Sequence, residues 1–225
     1  MITIDKTEVF GWESAIRGMR NPMNSWDKSD SLYMTVNDIA GHPCDDGMKE
    51  EFVVGNSDLD LMTRLVKAGS DHSKFMRMIN VTCDIIAPRY WWAEYDTYKV
   101  GTVRNSCSTM HKIHAKEFEI DDFSHDKLDS KSLKVLHNII TYLNVMREWH
   151  NNAEPNFKKD AWWQMIQLLP QSYNQKATVQ LNYAVLRNIY HSRRTHKLDE
   201  WHIFCKWIED LPYSELIIGE NNDNG

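Results

Sequence analysis

The segment that most constrains this chain is one whose residues can be buried on one side only. From Asp129 to His150, Leu133, Leu136, Ile139, Ile140, Leu143 and Met146 recur at helical spacing along a single face, and Asp129 or Ser130 can cap the start. A long one-faced helix needs an apolar surface to lie on. The N-terminus carries the other period: Met1-Ile2-Thr3-Ile4-Asp5 alternates, and residues 1 to about 10 read as extended. Residues 75–86, with Met78, Val81, Thr82, Ile85 and Ile86, predict a second strand that Pro88 ends. Both periods in one chain predict an α+β fold, with a few strands in the first half and a helical second half.

Punctuation sets the remaining boundaries. A helix begins at Asn56-Ser57-Asp58, where Ser57 or Asp58 can serve as cap, and runs through Leu59, Met62, Leu65 and Val66 to about Gly69. Tyr90-Trp91-Trp92-Ala93-Glu94-Tyr95 predicts a short helix, and three more are expected at roughly 156–168, 175–194 and 197–210, the last two parted near Thr195-His196. Gly, Pro and Asn make Ala15 to Trp26 a loop, and Gly41 to Gly47 another. Gly219 to Gly225 is Asn- and Asp-rich and reads as a flexible tail. No repeat or linker divides the chain, so residues 1–225 are expected to form one domain.

Composition narrows the class. A formal net charge of -6 argues against a protein that coats nucleic acid, while leaving room for a small phosphorylated ligand held by a few arginines. No apolar run approaches a membrane span, and the acidic N-terminus is unlike a signal peptide, so the expected compartment is the cytoplasm. Cys44, Cys83, Cys107 and Cys205 lie far apart with no CxxC pair, which predicts reduced, mostly buried thiols rather than a disulfide framework or a zinc site.

Generic motifs are absent: there is no GxGxxG, P-loop, HExxH or GxSxG. His111 and His114 share a helical face, but no carboxylate or thiolate stands at ligand spacing, so no metal is expected. His191, His196 and His202 straddle a helix break and need not converge. Arg17 and Arg20 sit in the Gly/Pro/Asn segment and suit either a mobile anion-binding loop or simple exposure.

Three collinear blocks resemble the flavin-dependent thymidylate synthases, the ThyX family. The first is Asp71-His72-Ser73-Lys74-Phe75, followed after a strand by Ala87-Pro88. The second covers the family signature: Glu94 falls on its Gln, Thr97-Tyr98-Lys99 on its Arg-His-Arg, and Asn105 and Ser108 on its Asn and second Ser. The third joins Leu169-Pro170-Gln171-Ser172-Tyr173 to Asn182, Leu186, Asn188 and Arg193, with Trp201-His202-Ile203 echoing a Trp-Glu-Ile in the next helix. Together they span about residues 58–210.

The resemblance implies a ThyX-like fold, a small central sheet with long helices, in a homotetramer whose active sites lie between subunits. It also implies a reaction in which a one-carbon unit passes from methylene-tetrahydrofolate to a pyrimidine deoxynucleotide such as dUMP. FAD would be the cofactor and NADPH the reductant. Carried over residue by residue, His72, Lys99, Asn105, Asn182 and Asn188 are the expected flavin contacts. Glu94, Ser108 and Arg193 are the expected catalytic and substrate-binding residues; by helix spacing rather than by the resemblance, Arg187, six residues and nearly two turns earlier, could join Arg193 at a phosphate. Glu94 departs from the pattern, because an ionised carboxylate cannot donate to a uracil carbonyl but can accept from the amino group of cytosine. Bland roles stay open beside these: His72 can satisfy a backbone carbonyl, Arg193 can complement a helix C-terminus, and the Tyr90-Trp91-Trp92 and Trp162-Trp163 clusters read as core or subunit contact.

Overall fold

The computed structural model describes residues 2–35 and 50–219. The loop expected over Gly41 to Gly47 and the tail expected beyond Gly219 therefore lie outside the described residues. The first strand, β1 (Thr3–Phe10), leads into α1 (Trp12–Arg20), and a hairpin of β2 (Leu32–Thr35) and β3 (Glu50–Val53) precedes α2 (Asn56–Lys67). Then come β4 (Asn80–Pro88), α3 (Arg89–Tyr95), β5 (Val103–Ser106) and the single turn α4 (Thr109–Lys112). The second half holds α5 (Ser130–Asn152), α6 (Pro155–Leu168), β6 (Asn174–Asn182), α7 (Tyr183–Arg193), α8 (Asp199–Glu209) and α9 (Glu215–Ile218). Among the described residues no helix is long and apolar enough to cross a membrane.

Four strands form one antiparallel sheet in the order β1-β4-β6-β5. β4 and β6 pair along their whole length, from Asn80 opposite Asn182 to Pro88 opposite Asn174. Alternation sets their inner face: Val81, Cys83, Ile85 and Ala87 from β4 and Ala177, Val179 and Leu181 from β6 are buried. α3, α7 and α8 cover that face with Trp91, Trp92, Leu186, Ile189, Trp201 and Phe204. A second core lies between α5 and α6, where Leu136, Ile140 and Leu143 meet Met165 and Leu169. As expected of buried thiols, Cys83 and Cys205 lie in the main core, where burial pushes Cys83 up to about 12 and Cys205 to about 11; Cys107 is exposed.

Several boundaries move. The expected helix over 175–194 is a strand through Asn182 and a helix only after it. The strand read from residue 75 begins at Asn80, because Lys74–Arg77 forms a 3-10 turn, and it includes Pro88. The segment from Ala15 is helix as far as Arg20: Trp12, Ala15, Ile16, Met19 and Arg20 are buried at spacings of a helical face. Gly11, before that helix, has φ +96, and a Cβ there would stand 2.1 Å from the Met78 carbonyl oxygen.

Caps decide where two helices start. Asp129 accepts from the N–H groups of Lys131 (3.1 Å) and Ser132 (2.8 Å), as the sequence suggests. Neither Ser57 nor Asp58 caps α2. Asp30 does so from across the chain, accepting from the Ser57 (2.8 Å) and Asp58 (3.0 Å) N–H groups. Asp58 is instead fully buried, with the Arg20 Nε at 2.6 Å and the Ser29 and Ser31 hydroxyls at 2.7 and 2.6 Å. Arg20 spends its other donors on the carbonyls of Ser25 (3.2 Å) and Lys28 (3.0 Å). It is thus an internal strut, not an anion-binding loop residue, while Arg17 is exposed beside Glu13 at 3.6 Å.

Candidate functional site

The end of α3, the end of α7 and the start of α8 converge on one carboxylate. Glu94 Oε2 lies 2.7 Å from Arg193 Nη1, 3.2 Å from His196 Nε2 and 3.3 Å from Trp201 Nε1. Arg193 Nε donates to the Tyr98 hydroxyl at 2.8 Å, and its guanidinium carbon sits 4.9 Å from the Trp201 ring centre and 5.5 Å from that of Tyr98. Flat aromatic faces on a cation and a carboxylate on its edge fix the guanidinium in one plane. The floor is rigid: Trp201 packs on Trp91 at 4.8 Å, and Trp91 stacks on Tyr95 at 5.2 Å. One residue before Trp201, the buried Glu200 accepts a hydrogen bond from the Tyr90 hydroxyl, whose pKa burial and that carboxylate hold above the ordinary value.

The cluster stays open to solvent, with side-chain exposures of 35% for Glu94 and 19% for Arg193. Glu94 Oε1 carries no hydrogen bond among the described residues, so one carboxylate oxygen and part of the guanidinium edge remain for a ligand. Tyr98, His196 and Trp201 were not among the site residues expected from sequence. Two of them had a signal: Tyr98 occupies the histidine of the family's Arg-His-Arg, and Trp201 opens the Trp-His-Ile echo.

The other expected residues lie elsewhere. Ser108 caps α4, accepting from the His111 N–H at 3.1 Å, and lines a separate cleft of about 370 Å³ with Cys107, Lys112, Tyr173, Gln175 and Lys176. Arg104, which was not among the expected residues, pairs with Asp96 at 2.7 Å and donates to Gln175 at 2.9 Å, with the Trp92 ring 3.9 Å from its guanidinium carbon, while its Nε is buried without a partner among the described residues. His72, Lys99 and Asn105 are exposed, and no side-chain hydrogen bond or ion pair engages them among the described residues. Asn188 is exposed and accepts only from Ser192, at 3.4 Å.

Two expectations need correction. Asn182 is not on the helix but ends β6, nearly buried, and its Oδ1 accepts from the Val185 N–H at 3.1 Å to cap α7. Substituting Ala is expected to cost about 1–2 kcal/mol of stability and to leave nucleotide affinity unchanged; a denaturant midpoint that does not move would show the cap to be idle. Arg187 does not join Arg193. Six residues turn a helix by about 240°, and Arg187 points to the Leu216 and Ile217 carbonyls, at 3.2 and 3.0 Å.

Comparison with known proteins gives a consistent answer on the fold. No protein-family model matches the sequence, and no curated protein matches it by sequence. Among solved structures, thymidylate synthase X (ThyX) from Helicobacter pylori, with FAD and dUMP, aligns over 98% of both chains at 18% identity and a TM-score of 0.64. A second structure of the H. pylori flavin-dependent enzyme, complexed with FAD and dUMP, aligns over 97% of both at 20% identity and a TM-score of 0.62. The UMP/dUMP methylase PolB from Streptomyces cacaoi, bound with 5-Br dUMP, covers 95% of this chain and 93% of its own at 13% identity and a TM-score of 0.54. The chain has a ThyX-like fold.

Proposed function

We propose that the protein is a thymidylate synthase-like enzyme that binds a pyrimidine deoxynucleotide at Arg193 and Glu94 and transfers to it a one-carbon unit from methylene-tetrahydrofolate. The observation that carries this reading is the fixed Glu94–Arg193 pair, standing on Trp201 and Tyr98 at positions the ThyX resemblance gives to the nucleotide. Fold alone does not assign a reaction. The site's own chemistry supports this one: a forked cation for a phosphate, a carboxylate acceptor for a base edge, and aromatic faces around both.

In the free chain Glu94 holds the guanidinium in place, and a nucleotide phosphate takes the remaining edge of the fork. The unengaged Glu94 Oε1 then accepts from the base. Uracil offers only its N3–H, whereas cytosine offers its amino group. Calorimetric titration is expected to show dCMP binding more tightly than dUMP, with Glu94→Gln shifting the preference toward dUMP by about tenfold. The same preference in both proteins would remove Glu94 from base recognition.

The donors available to a flavin fit in kind. Lys99 would face the pyrophosphate, and His72, Asn105 and Asn188 the polar edges of the rings, all exposed and lightly engaged or unengaged. Asn182, whose Oδ1 caps the helix, keeps only its side-chain N–H group for a flavin. When bound, the reduced flavin, regenerated by NADPH, supplies the hydride that makes the transferred carbon a methyl group. Such a site is completed by neighbouring copies in a homotetramer.

A second reading is favoured by one specific observation. Where the family has Arg-His-Arg, Thr97-Tyr98-Lys99 keeps one cation, and the Tyr98 hydroxyl is already committed to Arg193. A nucleotide-binding protein without methyl transfer fits that loss. Flavin absorbance in the purified protein together with tritium release from labelled dUMP or dCMP, given methylene-tetrahydrofolate and NADPH, supports the enzyme. A colourless protein stabilised by nucleotide but releasing no tritium supports the binding module.

A further inference from the structure

The second arginine of α7 stands in a cleft of its own. About 450 Å³ opens between the end of α2 (Thr63, Val66, Lys67), Arg187 in the middle of α7, and α9 with Gly219. Arg187 uses only Nη1 on protein, donating to the last carbonyls of α9. Its Nε and Nη2 make no hydrogen bond, and no carboxylate pairs with it among the described residues. Gly219, at φ +67, keeps the wall open: a Cβ there would stand 3.1 Å from Nη1.

The Arg187 charge is half-buried and is met on protein by two backbone carbonyls alone among the described residues. Burial lowers its own pKa, although a guanidinium stays charged at neutral pH. Burial and then the Arg187 charge hold the neighbouring His191 imidazole below its ordinary pKa. A half-buried cation with no ion pair among the described residues costs free energy that an incoming anion recovers. The resemblance places no ligand here, and the Arg193 cluster shares none of these residues.

We propose that this cleft is a second anion site, taking a small phosphate-bearing ligand on the open edge of Arg187. Glu215 lines the same space and suits a ligand whose phosphate adjoins hydroxyl or amino donors, as in a nucleotide or a sugar phosphate.

Inorganic pyrophosphate, titrated by calorimetry at constant ionic strength into full-length Arg193→Ala protein, tests this with the nucleotide site disabled. The Arg193→Ala protein is expected to bind pyrophosphate, and adding Arg187→Gln to weaken binding by about tenfold or more. Adding Lys67→Glu instead leaves the bonds from Arg187 to α9 intact and is expected to weaken binding too, which covers an Arg187→Gln protein that fails to fold. Binding that vanishes with Arg193→Ala alone, or that survives both second substitutions unchanged, overturns the proposal.

Discussion

Arg20→Ala is expected to cost about 3–5 kcal/mol of folding stability, a fall in melting temperature on the order of 10 °C for a chain of this size. The ion pair is the most enclosed in the described molecule, with side-chain exposures of 4% for Arg20 and 0% for Asp58. Removing the guanidinium strands a carboxylate that also organises Ser29 and Ser31, and it frees the Ser25 and Lys28 carbonyls. Asp58→Asn is expected to be nearly as damaging, because it leaves Arg20 charged and unpaired. The pair also gives a pH signature. Burial alone would raise the Asp58 pKa, but hydrogen bonds from Ser31, Ser29 and Arg20 and the Arg20 charge outweigh it and hold the carboxyl below its ordinary value. A depressed carboxyl stabilises above the unfolded value of about 3.9, and that contribution is lost as pH falls through the lower native value. The gap between wild type and Asp58→Asn in denaturant melts at pH 7 should therefore narrow progressively as pH falls below about 4. A gap that stays constant would mean that the charge of Asp58 is not what the fold uses.

Arg193→Ala is expected to weaken nucleotide binding by about 10- to 100-fold, the range for removing a charged hydrogen-bond partner, with little change in folding stability. Its bonds to Glu94 and Tyr98 are part-exposed, and Glu94 keeps His196 and Trp201 as donors when the guanidinium is gone. Arg193→Lys is expected to recover only part of the affinity, since an ammonium restores the charge but not the planar fork or its stacking on Trp201. Unchanged affinity in both variants would move the nucleotide away from this cluster.

What the sequence made legible followed period and punctuation. The Asp129 cap and the one-faced stripe through Met146 give α5, and the alternation of Val81, Cys83, Ile85 and Ala87 gives β4. β6 was hidden because Ala177, Gln180 and Leu181 form helices well, and the helical period of Leu186, Ile189 and Tyr190 extends backward across Asn182. Only the pairing with β4 makes 174–182 extended, and pairing is a tertiary fact. α1 was hidden by Gly18 and by Asn21-Pro22, which follow its buried face closely and read as loop. Within the site, residue type and family-like spacing brought out Glu94 and Arg193. The partners that lock them, Tyr98, His196 and Trp201, come from three segments that meet only in the fold.

A crystal structure of the protein with dUMP addresses the nucleotide site most directly. The phosphate should be found on the guanidinium of Arg193, with Glu94 Oε1 turned to the pyrimidine edge. A nucleotide seated on other residues, with Arg193 still closed against Glu94 and Tyr98, would contradict the assignment.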